Sequence, residues 1–144
     1  MFSSEALAHM SAHVQRRRLA KEAGGELFAR VADAAGLVVE CASGPHPSDK
    51  RTRCSFLPDV TAAAAERSRQ YERGLHAVGL WHTHPELIPN YSHLDRLTTE
   101  QYLTAFAGER GHYLMVILGN LRGPPAMRVW SVDNEHCTAW GEVV

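Results

Sequence analysis

Apolar and polar positions alternate along the chain in a way that divides it into short helices and strands. Leu7, Met10, Val14 and Leu19 recur near helical spacing between Glu5 and Lys21, with Arg16, Arg17, Arg18 and Lys21 gathered on a second face. This predicts a helix with a solvated basic side, stopped at Gly24-Gly25. Strands are predicted over Glu26–Ala32 and Leu37–Ala42, joined by a turn at Asp33–Gly36, and a third over Arg51–Phe56. Ser43–Asp49 reads as a loop from its Pro, Gly and Ser content. The alanine run behind Asp59 and Thr61 predicts a helix to Arg73, closed by Gly74. His76–His82 and Tyr113–Leu118 are apolar without alternation, the pattern of strands covered on both faces. Between them lie a loop over Pro85–Tyr91 and a helix from His93 to Ala107, ended by Gly108. A turn at Gly119–Pro125 leads to a closing pair of strands, Met127–Val132 and His136–Trp140. The order predicts an α/β fold, a mixed and largely antiparallel sheet flanked by helices. No glycine-rich phosphate loop follows any strand, which excludes a doubly wound nucleotide-binding fold.

Composition narrows the function classes. With 144 residues, 44% of them hydrophobic, the chain is long enough for one domain over 1–144 with its own core. Fifteen Lys and Arg stand against sixteen Asp and Glu, giving a net charge of −1, which excludes a general nucleic-acid binder. No apolar run approaches the ~20 residues of a membrane span, and the first residues lack the basic-then-apolar order of a secretion signal. The expected location is cytoplasmic, with no membrane partner. Cys41, Cys54 and Cys137 are odd in number and form no C-x-x-C pair, so they are expected as buried small hydrophobes and not as a disulfide framework. The abundant residue with chemistry is histidine, nine in all.

The histidines of consequence lie in Trp81-His-Thr-His-Pro-Glu-Leu-Ile-Pro-Asn-Tyr-Ser-His-Leu-Asp95. His82 and His84, two apart at a strand end, share a face, and Thr83 points away. Ser92 and Asp95, three apart, share the first turn of the next helix. Two imidazoles and a carboxylate with a fourth position open describe a catalytic zinc site. Ser-x-x-Asp alone would be a helix cap. The four-residue pattern, however, arises by chance about once per thousand chains of this composition. A nucleobase deaminase would need His-x-Glu and a later Pro-Cys-x-x-Cys, and neither is present. Zinc chemistry also needs a carboxylate to move protons; spacing does not select one among the eleven glutamates, of which Glu86 lies close by in sequence.

His82-Thr-His-Pro-x6-Ser-x-x-Asp95, with Glu22-Ala-Gly-Gly-Glu-Leu27 upstream, resembles the JAMM (MPN-plus) zinc isopeptidases over nearly the whole chain. The resemblance implies a cytidine-deaminase-like fold and cleavage of amide or isopeptide bonds at the C-terminus of a ubiquitin-like modifier. It assigns one Zn2+ to His82, His84 and Asp95, activation of water to Glu22, and oxyanion support to Ser92. Glu26 and Ala29 depart from the family, which usually has an apolar residue and a glycine there. Pro47-Ser-Asp49, Cys54-Ser-Phe56, Asp59 and Gly79-Leu-Trp-His-Thr-His-Pro-Glu86 resemble bacterial stand-alone members from CBASS- and Bil-type antiphage operons. The implied partners are a ubiquitin-like protein or its conjugate, and activating and conjugating enzymes of the same operon. Trimming of a sulfur-carrier protein, or modifier binding without catalysis, stays open. The Ser43–Arg53 segment is either a wall of the substrate groove or a plain connector.

Overall fold

The computed structural model describes residues 1–30, 37–106 and 109–141. Its elements are α1 (Ser4–Ser11), β1 (Gly24–Ala29), β2 (Cys41–Ala42), β3 (Lys50–Arg51), β4 (Phe56–Leu57), α2 (Val60–Glu72), β5 (His76–Thr83), α3 (His93–Ala105), β6 (Tyr113–Leu118), β7 (Met127–Val132) and β8 (Cys137–Ala139). Six strands form one sheet in the order β2-β1-β5-β6-β7-β8, and β3 and β4 form a separate hairpin. Every pairing is antiparallel except β5 with β6, which α3 joins as a crossover. This is the mixed, largely antiparallel α/β architecture expected from the sequence.

Burial explains why the central strands form. All six residues of β6 are buried. Leu114, Val116 and Leu118 face a cluster with Trp81, Leu27 and the α1 residues Ala6 and Met10. Met115 and Ile117 face the opposite side, against Trp130 and Val132. The α2 and α3 helices cover that side, where Phe28, Leu75 and Ala77 pack with Phe106. A strand covered on both faces gains no alternation, as its sequence indicates.

Several boundaries differ from the sequence reading. The first helix stops at Ser11, not Lys21. The buried Gln15 replaces the expected helical turns: its amide donates to the carbonyls of Ala20 (3.0 Å) and Arg53 (2.8 Å) and accepts from Thr83 Oγ1 (2.9 Å). These tertiary bonds outcompete the modest helix preference of Arg, Lys and Leu. Leu19, counted into the apolar stripe, is 87% exposed. Gly24-Gly25 open β1 and do not end a helix. The expected strand Arg51–Phe56 is a hairpin: Thr52 N donates to Ser55 O at 2.9 Å and turns the chain back. Leu37–Ala42 pairs regularly only at Cys41–Ala42, with a single bridge from Val39 to Phe2. The Asp33–Gly36 turn, the last residues of the expected strand Glu26–Ala32 and the end of the helix at Ala107–Gly108 lie outside the described residues. The closing strand starts one residue later than expected, at Cys137.

Candidate metal centre

Strand β5 carries His82 near the sheet's open end, and His84 follows one residue after the strand. Thr83 between them is fully buried on the other face; it accepts from Ala23 N (3.0 Å) and donates to Gln15. Thr83 N also donates to Ala23 O at 2.8 Å. Those bonds extend the β1–β5 pairing by one step past Gly24↔His82. They bring Glu22 beside a pair of histidines sixty residues later in the chain. Gly25 makes the crossing of the next segment possible: a Cβ there would sit 1.8 Å from Ser43 O.

The third donor comes from α3. Ser92 caps the helix, its Oγ accepting from Asp95 N at 3.1 Å, while Asp95 Oδ2 accepts from Ser92 N at 2.7 Å. This reciprocal box turns the Asp95 carboxylate toward the histidines. His82 Nε2 lies 3.0 Å from His84 Nε2 and 3.2 Å from Asp95 Oδ1, and His84 Nε2 lies 3.4 Å from Asp95 Oδ2. Donors bound tetrahedrally at about 2.0–2.1 Å lie about 3.3 Å apart; each pair here is near that spacing, with Asp95 turning a different oxygen to each histidine, and one donor atom from each residue lies within 4.8 Å of the others. Among the described residues, these three form the one such group of His, Cys, Asp or Glu side chains. The second nitrogen of His84, Nδ1, is buried without a hydrogen-bond partner, and the nearest carboxylate to it, Glu86, stands 3.9 Å away.

The electrostatics are strongly coupled. Burial raises the Asp95 carboxyl, but the hydrogen bonds and charge of His82 and His84 outweigh this and hold it well below the usual carboxylate range. Burial lowers His84, yet the Asp95 carboxylate beside it leaves the imidazole raised. Glu22 is raised to about 7, chiefly by burial. A carboxyl poised near neutrality can accept a proton and release it again.

These groups line a cavity of about 310 Å³. Ser92, Leu94 and Thr98 border it from α3, and Ser43, His46 and Asp49 from the 43–53 segment, which thus forms a wall of the cavity. Residues that spacing did not single out also reach it. Phe56 and Pro58 come from the hairpin side, and Glu26 with Tyr102 from the floor. Glu26, where the resemblance leads one to expect an apolar residue, is buried and paired with Arg67 at 2.8 Å. Only the alanine-rich helix behind it could have hinted at a cation facing the sheet. Cys54 corrects the cysteine reading, because it sits exposed in the hairpin turn and borders the cavity; Cys41 and Cys137 are half-buried, and all three are free thiols. His93 is exposed on α3, away from the donors.

Comparison with known proteins places this arrangement. A family model described as prokaryotic homologs of the JAB domain matches residues 3–133. The chain belongs to this family. A curated relative from Pseudomonas aeruginosa (strain BWHPSA011 / Pa011), named CD-NTase/cGAS isopeptidase, is 36% identical over 121 residues, 82% of this chain and 75% of that protein. Two solution structures share this fold at 18% identity. One, from Desulfitobacterium hafniense, gives a TM-score of 0.71 and covers 96% of this chain and 88% of its own. The other, from Salinibacter ruber (strain DSM 13855), gives 0.58 with 99% and 88% covered. No described helix is long and apolar enough to cross a membrane.

Proposed function

We propose that this protein is a zinc-dependent isopeptidase that removes or processes a ubiquitin-like modifier at its C-terminus, in bacterial antiphage defence. JAB-family membership and a relative named as an isopeptidase support hydrolytic deconjugation as the class of activity. The observation that carries the zinc reading is the meeting of His82, His84 and Asp95, one donor atom from each within 4.8 Å of the others, at a cavity that Glu22 also lines.

His82, His84 and Asp95 would hold a zinc ion, which when bound would supply Lewis acidity to the scissile carbonyl and to water. Glu22 takes the proton from the attacking water and delivers it to the leaving amine, and its carboxyl, raised to about 7, suits both transfers. The Ser92 hydroxyl accepts from Asp95 N and still has its own proton to donate to the oxygen that gains charge. The walls formed by Ser43, His46 and Phe56 hold the substrate chain extended and exclude bulk water.

Metal analysis of the purified protein tests the reading, together with cleavage of a fusion in which a ubiquitin-like domain is joined through its C-terminus to a reporter. One zinc per chain, and chelator-sensitive cleavage at the junction that survives thiol alkylation, are expected. Retention of zinc after His82→Ala and His84→Ala combined, or loss of activity on alkylation alone, would remove the assignment.

A further inference from the structure

Seven of the fifteen Lys and Arg residues fall in two short segments: Arg16, Arg17, Arg18 and Lys21 in the first, Lys50, Arg51 and Arg53 in the second. The structure joins the segments. Gln15 Nε2 donates to Arg53 O at 2.8 Å, Glu22 N to Thr52 O at 2.8 Å, and the Arg53 guanidinium to Arg18 O. Arg51 Nε donates to Glu22 O, and Arg16 Nη2 to Gly123 O at 2.6 Å, beside Arg122. Arg16, Arg51 and Arg53 therefore staple backbone to backbone. Arg17, Arg18, Lys21 and Lys50 are exposed and keep their charged ends free of internal hydrogen bonds among the described residues.

No ion pair among the described residues involves any of the seven; the arginine pairs lie elsewhere, at Arg30, Arg67, Arg69 and Arg96. Both segments are nearly free of acids, for Glu22 is buried and residues 50–58 have none. Apart from Glu22, the rest of the chain carries eight cations against fifteen acids. A nearly neutral protein thus concentrates uncompensated positive charge on one face, and the fold works against its self-repulsion to do so. The two segments meet at Glu22, so the face runs to the edge of the candidate centre.

We propose that this face docks an acidic surface of the protein partner whose chain is cut, and guides that chain to Glu22. The proposal deepens the peptidase reading and rests on it. A protein partner fits better than a nucleic acid, because residues 16–21 contain no aromatic ring on which a base could stack and the one in residues 50–58, Phe56, lines the cavity. Complementary charge outside the cavity raises encounter rate and selects partners before any bond is cut.

Fluorescence anisotropy with a labelled poly-glutamate peptide of about 20 residues tests the face. The proteins compared are wild type, a reversal of three free cations (Arg17→Glu, Arg18→Glu, Lys50→Glu) and a control reversal of equal charge elsewhere (Arg30→Glu, Arg69→Glu, Arg96→Glu). The peptide is expected to bind wild type at about 50 mM salt and to weaken by roughly tenfold or more at about 200 mM. The first reversal should give a similar loss, and the control a change of about twofold or less. The same three positions changed to Gln, with melting temperatures matched to wild type, should reproduce the loss without charge inversion. His84→Ala should bind the peptide like wild type, so failure of the peptidase reading leaves this result standing or falling by itself. Equal losses in both reversals would overturn the proposal. So would tighter binding of an oligothymidylate of equal charge, which would make the face a nucleic-acid surface.

Discussion

The two halves of the candidate centre are secured in different ways. His82 stands on a strand hydrogen-bonded to a neighbour on each side, and the residues flanking it, Trp81 and Thr83, are buried at 1% and 0% exposure. Asp95 and Ser92 stand at the start of a helix behind a loop whose Leu87 and Ile88 are more than 60% exposed, and two reciprocal hydrogen bonds orient them. The histidine half is fixed by a core the whole fold requires. The carboxylate half is fixed locally and can be loosened without touching the core. Deleting a histidine therefore removes a donor and leaves the scaffold, whereas deleting the serine shifts a donor while leaving it present.

The largest effect expected is that of His84→Ala. Zinc content by mass spectrometry should fall from about one per chain to near zero and cleavage should be abolished, while the metal-free melting temperature changes little. A large drop in that melting temperature would show that the histidine half is not independent of the fold.

Glu22→Gln comes next. It should keep zinc and lose about 10²–10⁴-fold in turnover. It also sharpens the electrostatic side of the comparison. Glu22 is raised from 4.5 to about 7 in the folded protein, so between those values the folded state binds more protons than the unfolded. Stability of the metal-free wild type therefore falls as pH rises through that window and levels off above it. Glu22→Gln should abolish this contribution, worth on the order of 3 kcal/mol at most, as read from chemical denaturation at pH 5 and pH 8.

Ser92→Ala tests the helix half. Loss of an oxyanion donor costs about 10²–10³ in turnover, whereas loss of a cap alone costs about 0.5–2 kcal/mol of folding stability. Both are expected, with zinc affinity weakened as Asp95 loses part of its box. Normal cleavage at low temperature by a variant that melts earlier would leave Ser92 as a cap only. Glu86→Ala should have the smallest effect, because its carboxylate is half-exposed and lies 3.9 Å from the nearest imidazole nitrogen, beyond hydrogen-bond range. Inactivity of Glu86→Ala with activity of Glu22→Gln would reverse the two carboxylates.

The same contrast explains what the sequence could and could not reveal. His82, His84, Ser92 and Asp95 are legible because they are local: strand alternation and the helical first turn bring them together within fourteen residues. Strand β6 is legible because burial on both faces leaves an unbroken apolar run, and β5 because Ala77–Trp81 carries no polar side chain, although Leu80 and His82 are only half-buried. Glu22 is not legible from spacing, since the β1–β5 register places it, and pairing between distant strands leaves no mark in a single chain. Here the family resemblance chose between Glu22 and Glu86. The path from Ala12 to Ala23 was misread because helix-forming residues were counted without Gln15, a polar side chain whose value depends on partners at Arg53 and Thr83. Half of the basic face is legible as the run Arg16–Lys21, read as a solvated helix side; the half on the hairpin is not, because it lies some thirty residues downstream.

The pairing of Gly24 with His82 also sets an order of events in folding. The loop it closes spans almost sixty residues, and closing long loops delays the contacts that reward them. The helix cap and its carboxylate are local and form early; Glu22 arrives only when the first strand docks on the fifth. A refolding chain is thus expected to hold its cap before Glu22 reaches the histidines. On the proposed mechanism, a chain whose first strand has not yet docked has a formed helix start but lacks Glu22 at the site, and is expected to be unable to hydrolyse a substrate.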